Sequence, residues 1–324
     1  MVTKQLIEIL LNIIINLINE VKDMNEFKER LNKIAQLLDE SDNIIIGAGA
    51  GLSTAAGIEY DGKRFTDNFQ EFIDKYDMTD MYTSGFYPFD TEEEKWAYWA
   101  RHIYLNNVGM QSTKLYTKLY DLVKDKNYFV ITTNVDDQFF KSNFEASCVF
   151  ATQGSYNYIQ CSKGCHPKVY KNSQLIKEMI NSTDKDLKIP YDLVPKCPVC
   201  DGPMDPHLRK DHYFVEDEHW HYQSNAYNEF INSCVNEKTL LLEFGIGFNT
   251  PSIIRFPFEQ MTYKIKDWTL ARFNRSHFEV AVEYHKTWKL MTPEELSKID
   301  AFNDFLSRYI RFSEDIEEIL DNLL

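Results

Sequence analysis

Four short apolar runs punctuate the chain: Asn43 to Ile46, Tyr128 to Thr132, Thr239 to Phe244 and Trp268 to Arg272. They are shorter than helices and lack the alternation of a strand with one wet face. That pattern predicts strands buried on both sides, as in a parallel sheet. Between them the periodicity is helical. NEFKERLNKIAQLLDE closes at Glu40, residues 66 to 126 are mostly helical and rich in aromatics, and Pro293 to Leu324 is helical again, opening at Thr292 and Pro293. Strands alternating with helices predict an α/β fold, a Rossmann-like parallel sheet with helices on both faces.

The character changes between about residues 155 and 213, where the chain is polar, lysine-rich and bracketed by cysteines. This stretch reads as a small zinc-ribbon module inserted into the larger domain. The expected organisation is an N-terminal helical extension over 1–40, a Rossmann-like domain from 41–154 and 214–324, and the insertion over 155–213. Within the larger domain, residues 66–126 form a helical lid. The apolar run Leu6 to Ile18 is broken by Glu8, Asn12 and Asn16. It is too short and polar to span a membrane and lacks the flanks of a signal peptide. An amphipathic helix packed on the body or on a partner is expected there; Met24 is an alternative start.

Composition narrows the class. The 324 residues are 44% hydrophobic and 14% aromatic with 12 Gly and 10 Pro, which describes a packed globular protein without low-complexity tracts. A net charge of −15 with no basic stripe argues against nucleic acid. The expected location is the cytoplasm, and four of the six cysteines fit metal spacing better than a disulfide framework.

Cys161-x3-Cys165 is followed, after 31 intervening residues, by Cys197-x2-Cys200. Two knuckles of this kind bring four thiolates to one tetrahedral Zn²⁺, and four thiolates leave no place for a catalytic water. The zinc is therefore expected to be structural. His166 could substitute for one ligand; Cys148 and Cys234 remain as ordinary buried thiols.

Gly47-Ala-Gly49-Ala-Gly51-Leu-Ser53 runs from the first strand into a helix. Such a turn lets backbone approach a pyrophosphate near a helix N-terminus, although the spacing is not GxGxxG and a plain tight connection would look similar. TTNVDDQF places Thr133, Asn134 and Asp136 at the end of the second strand, the edge where open α/β sheets bind ligands; an Asx-type turn is the competing reading. Trp96, Tyr98, Trp99, His102 and Tyr104 have helical spacing and read as core or lid packing. His219 and His221 diverge on a helix and carry little weight, and the acidic run from Glu314 to Glu318 reads as a solvated face.

GAGLSTAAGI, TTNVD, the two cysteine pairs and the later glycine-rich strand end, taken together from about Asn43 to Asn274, resemble the sirtuins in order and spacing. The resemblance implies NAD as substrate, with Ala50, Gly51, Ser53, Thr133 and Asp136 lining it and Asn134 beside the scissile bond. It also implies that Gly245, Gly247, Asn249 and Thr250 meet phosphates and ribose, that Asn274 meets the adenosine ribose, and that Arg64 is a ligand contact.

The departures matter most. Sirtuin deacylases carry His-Gly where this chain has Gln153-Gly154, and a carboxamide cannot take a proton near neutral pH. Losing a general base costs on the order of 10²–10⁴-fold in rate. The acyl-lysine segment is also replaced, by Leu208 to Glu218. Gln153, TTNVD and the later FGIGFNTP together resemble the macrodomain-linked bacterial branch, class M. That resemblance implies a protein mono-ADP-ribosyltransferase acting on a lipoylated carrier related to glycine cleavage protein H, with a macrodomain hydrolase as its functional partner. Nicotinamide departure leaves an oxocarbenium-like ribose that needs positioning and electrostatics more than a base. Asn134 would hold the 2′-hydroxyl or a water, and Gln153 would orient ribose or acceptor. An NAD glycohydrolase, a weak deacylase and a non-catalytic NAD sensor are the alternatives.

Overall fold

The computed structural model describes residues 22–276 and 291–324. The Leu6–Ile18 run lies outside the described residues. The first helix, α1, covers 22–40. The elements that follow are β1 (Asn43–Ala48), α2 (Ala50–Ala55), α3 (Gly62–Tyr76), α4 (Met81–Ser84), α5 (Glu92–Ile103), a π-helical turn (Tyr104–Val108), α6 (Lys114–Val123), β2 (Asn127–Thr132), α7 (Gln138–Lys141) and β3 (Val149–Ala151). Then come β4 (Gly154–Cys161), β5 (Val169–Lys171), α8 (Ser173–Ser182), β6 (Met204–Leu208), α9 (Glu218–Ser233), β7 (Thr239–Phe244), α10 (Arg255–Lys264) and β8 (Trp268–Phe273). The chain closes with α11 (Pro293–Leu296), α12 (Asp300–Ser307), β9 (Tyr309–Phe312) and α13 (Ile316–Leu323).

Six strands form one sheet in the order β3-β2-β1-β7-β8-β9. All of its pairings are parallel, with Asn43 level with Asn127 on one side and Thr239 on the other. The chain fills one half of the sheet outward from β1 and returns to fill the other from β7. The strand order therefore reverses between β1 and β7, and in open α/β sheets ligands sit outside the carboxyl ends at such a point.

The apolar runs are continuous because both faces are covered. Successive side chains alternate between faces. Ile44, Ile46, Val130, Leu240 and Leu242 pack under α1, α6 and α13. Ile45, Phe129, Leu241 and Leu270 pack against α9 and α10 on the other face. Truncating Ile45 to Ala costs about 2–5 kcal/mol at a site this buried.

Two features depart from expectation. Strand β9 interrupts the helical C-terminal segment: Tyr309–Phe312 pairs parallel with β8, and Ile310 and Phe312 turn into the core. Arg308 fixes its start by donating to the carbonyls of Thr262 at 2.5 Å, Ile265 at 3.0 Å and Trp268 at 2.8 Å. The cysteine-bracketed stretch, read as a polar module of its own, shares a core with the larger domain. Tyr156, Ile159, Ile176, Met179 and Met204 interlock with Phe65, Phe69, Trp96 and Tyr98 from α3 and α5. Its own sheet is antiparallel, in the order β5-β4-β6. No helix among the described residues is long and apolar enough to cross a membrane.

Candidate active site

Three segments meet at the carboxyl edge of the sheet: the glycine turn after β1, Thr133–Asp137 after β2, and the loop after β7. Their contact depends on missing side chains. The Gly51 N–H donates to the Gly245 carbonyl at 2.9 Å. A Cβ on Gly51 would stand 2.7 Å from the Gly245 Cα, and one on Gly245 would stand 2.3 Å from the Leu52 nitrogen. Gly245 also has φ +61°, a left-handed conformation that glycine adopts without strain.

The polar residues predicted from TTNVD and the glycine turn form one network. Asn134 Nδ2 donates to the Gly49 carbonyl at 2.9 Å and to the Tyr116 hydroxyl at 3.1 Å. Ser53 Oγ lies 2.9 Å from that same hydroxyl and donates to Asp136 Oδ2 at 2.6 Å. Asp136 Oδ1 accepts the Gln138 N–H at 3.0 Å. Burial pushes the Asp136 carboxyl above its ordinary value, and the Ser53 and Gln138 donors oppose the rise. Thr133 donates its N–H to the Ala48 carbonyl at 3.0 Å, tying the ends of β1 and β2 together.

Asp137, which the sequence reading passed over, sits next to this network. Its backbone is left-handed, with φ 60°. Its carboxylate accepts Ser155 Oγ at 2.8 Å and Asn107 Nδ2 at 2.9 Å, and burial pushes its pKa up to about 6. Asn107 comes from the π-helical turn after α5, a register change that re-aims side chains and recurs at functional sites. Asp137 and Ser155 also face a cavity of about 350 Å³ whose walls include Ala151, His207 and Trp220.

Gln153 occupies the tight turn between β3 and β4. It is half-buried; its Nε2 reaches Thr152 Oγ1 at 3.4 Å and its carbonyl accepts the Arg209 N–H at 3.0 Å. The turn needs Gly154, with φ +92°, because a Cβ there would lie 2.0 Å from the His207 carbonyl oxygen.

Other predicted residues have internal duties. Arg64 donates to the Glu59 carbonyl and Asn106 Oδ1, each at 2.8 Å, and to the Leu105 carbonyl at 3.0 Å. It ties the loop before α3 to the π-helical turn. Ala50 opens α2 at the glycine turn, and Gly247, Asn249 and Thr250 lie in the loop after β7, the latter two exposed. Asn274 is buried, and its Nδ2 donates to the Ile246 carbonyl at 2.8 Å. His102, read as packing, is buried but also polar. Its Nε2 meets the Tyr156 hydroxyl at 2.8 Å, and that hydroxyl meets the Tyr60 hydroxyl at 2.8 Å. Burial lowers the His102 pKa to about 3, so the ring is neutral. His219 and His221 are exposed.

The four cysteine sulfurs lie within 4.8 Å of one another, with Cys161 to Cys200 at 3.7 Å and Cys165 to Cys197 at 3.6 Å. A tetrahedron of sulfurs about 2.3 Å from Zn²⁺ has edges of about 3.8 Å. The donor set therefore fits a structural zinc held by Cys161, Cys165, Cys197 and Cys200. His166 Nδ1 stands 3.1 Å from the Cys165 sulfur, beside the ligand set, while its Nε2 meets the Tyr170 hydroxyl.

No family model matches the sequence. The chain is similar to a Staphylococcus aureus (strain Mu50) protein named "Protein ADP-ribosyltransferase", with 37% identity over 258 residues that cover 79% of this chain and 82% of that protein. It is 28% identical over 244 residues to a Fusarium oxysporum f. sp. cubense protein named "Probable bifunctional ADP-ribose hydrolase/ADP-ribosyltransferase". That match covers 72% of this chain and 40% of the fungal protein's length. Among solved structures, a Sir2 mutant with a p53 peptide and NAD aligns over 90% of this chain and 96% of its own, at TM-score 0.54 and 18% identity. Sir2Tm bound to a propionylated peptide aligns over 90% and 96%, at TM-score 0.52 and 16% identity. A Sir2 homologue mutant in complex with ADP-ribose aligns over 90% and 94%, at TM-score 0.51 and 14% identity. These structural likenesses establish a shared fold.

Proposed function

Because this chain belongs to the sirtuin-like protein ADP-ribosyltransferases, we propose that its sheet-edge crevice cleaves NAD between nicotinamide and ribose and passes ADP-ribose to a protein acceptor. The observation that carries the reading is Gln153 in the β3–β4 turn, where sirtuin deacylases place their histidine base. The turn begins at Thr152, which donates to the Thr132 carbonyl at the end of β2, two residues before Asn134 of the Asn134–Ser53–Asp136 network.

In this reading the C1′–nitrogen bond of NAD breaks and its electron pair leaves with nicotinamide. The cationic ribose is then captured by a nucleophile of the acceptor, whose proton, if it has one, goes to solvent. Asn134, held by Gly49 and Tyr116, is oriented toward the ribose, and Asp136 with Ser53 fixes the nicotinamide end. Gln153 orients ribose or acceptor without accepting a proton. Gly51, Gly245, Gly247, Asn249 and Thr250 line the diphosphate and its ribose, with Ala50 and Thr133 at the rim, while Asn274 and Arg64 hold the loops around it. The zinc, when bound, fixes the two cysteine knuckles and thereby the shared core behind α5.

We take the acceptor to be a lipoylated carrier of the glycine cleavage H type, and a macrodomain hydrolase to be the partner that removes the modification. The fungal relative, whose name joins hydrolase and transferase in one chain, supports the second pairing. Incubation with NAD and carrier tests this reading. Mass added to the carrier is expected, and it should disappear in Asn134→Ala. Free ADP-ribose in place of modified carrier would instead indicate a glycohydrolase, and lysine deacylation a residual sirtuin activity.

A further inference from the structure

The loop after β7 rests on a set of charges with no contact with water. Glu243, Arg255, Glu259 and Arg272 are all fully buried. Arg272 grips both carboxylates: Nε donates to Glu243 Oε1 at 2.7 Å, Nη2 to Glu243 Oε2 at 2.9 Å, and Nη2 lies 2.6 Å from Glu259 Oε1. Arg255 stands farther off, at 3.9 Å from each acid. Two of its other contacts lead upward into the loop. Nη1 donates to the Ile246 carbonyl at 3.2 Å, and the guanidinium carbon lies 4.3 Å from the centre of the Phe248 ring, which is 47% exposed.

The Ile246 carbonyl thus accepts two inward-facing donors, Arg255 Nη1 and Asn274 Nδ2. A peptide unit is planar and trans, so the N–H that follows a carbonyl points the opposite way. With the Ile246 oxygen held by these two buried donors, the Gly247 N–H points the opposite way, and no backbone carbonyl among the described residues accepts it. An outward backbone N–H beside a glycine is a donor for a phosphate oxygen.

We propose that Arg255 is a positioning residue for the dinucleotide. By holding the Ile246 carbonyl and the underside of Phe248, it presets the loop so that the Gly247 N–H meets an anionic oxygen of the diphosphate. This inference rests on reading the crevice as an NAD site. Arg255 thus has two duties: with Arg272 it balances the two buried acids, and its remaining contacts reach up into the loop.

The test is steady-state nicotinamide release together with direct NAD binding by calorimetry, on the full chain. Arg255→Met should raise KM for NAD and the dissociation constant together by about tenfold or more, the size of a lost charge-assisted hydrogen bond. kcat at saturating NAD should change less than threefold, and KM for the acceptor should not move. Arg255→Lys, which keeps one donor and the charge, should recover part of the loss. Phe248→Leu, at a half-exposed ring outside the buried charge cluster, should raise KM for NAD about two- to fivefold, and it decides the matter should Arg255→Met fail to fold. Unchanged NAD affinity in Phe248→Leu and Arg255→Lys, with wild-type protein binding and cleaving NAD, would overturn the role of Arg255 alone. Wild-type protein that binds no NAD would overturn the functional reading beneath it.

Discussion

The Ser53 hydroxyl donates to the Asp136 carboxylate across 2.6 Å, joining the helix after β1 to the end of β2. Both residues are buried, so this bond is formed where the dielectric is low and a carboxylate needs its donors. Burial raises the Asp136 pKa and the Ser53 bond lowers it. Removing the hydroxyl removes the opposing influence, so Ser53→Ala should raise that pKa further. The acid limb of nicotinamide release should move to higher pH, with a loss of about tenfold at neutral pH. A pH profile of NAD cleavage checks this, and an unmoved acid limb would show that Asp136 is not the group titrating there.

Asp137 gives a second pH signature. Its folded pKa of about 6 lies above the ordinary carboxylate value, so the folded state holds its proton more tightly than the unfolded chain. Its contribution is fully present at low pH and is lost as pH rises from about 4 through 6. Asp137→Asn keeps a residue that tolerates the left-handed backbone and removes the half-buried charge. Above pH 7 the variant should be more stable than wild type by about 1–2 kcal/mol, with a flatter profile between pH 4 and 6. Urea melts at a series of pH values measure both; a variant as pH-dependent as wild type would contradict the assignment.

Gly51→Ala should damage binding more than folding. The added methyl would meet the Gly245 backbone at 2.7 Å, and two backbones must part to admit it. A cost of about 1–3 kcal/mol is expected for such overpacking. NAD affinity should fall by about tenfold or more, since the phosphate-facing segments separate. Calorimetry with NAD and a thermal melt distinguish this from global unfolding.

Zinc holds more than its own knuckles. Because Tyr156, Ile159 and Met204 share a core with Trp96 and Tyr98, releasing the metal should loosen α3 and α5 as well. Cys197→Ser, or chelation, should lower Tm by roughly 5–15 °C and red-shift tryptophan emission. Metal analysis should find one zinc per chain in wild type and a deficit in the variant. A zinc-free protein with an unchanged melt would refute this coupling.

Much of this was legible in the sequence, for identifiable reasons. Strands β1, β2, β7 and β8 announced themselves because both faces of each are buried, which forbids polar alternation. The glycine turn and TTNVD were legible because a close backbone approach and short polar side chains leave few residue choices. The four cysteines needed only spacing. Strand β9 was hidden: four residues between two amphipathic helices carry too little periodicity, and parallel pairing with β8 decides their conformation. Tyr116 and Asn107 were invisible as site residues because α6 and a π-helical turn deliver them across tens of positions. Arg64 was named through the family resemblance alone, and the partners that hold it, Glu59, Leu105 and Asn106, were no more visible, because Leu105 and Asn106 lie about forty positions away.

Gln153→His restores the missing base but not the acyl-lysine segment. This variant should therefore yield no efficient deacetylation of a histone-like peptide, while Gln153→Ala should lower ADP-ribosyl transfer by on the order of 10²-fold through lost positioning. Robust deacetylation by Gln153→His would mean that the acyl site survives after all.

The central claim, that this crevice transfers ADP-ribose to protein, is tested most directly with NAD labelled in its adenylate portion, with and without lipoylated carrier. The account predicts label on the carrier, with nicotinamide released in equal amount, both abolished by Asn134→Ala. Release of free labelled ADP-ribose without labelled protein, or no nicotinamide release in either reaction, would contradict it.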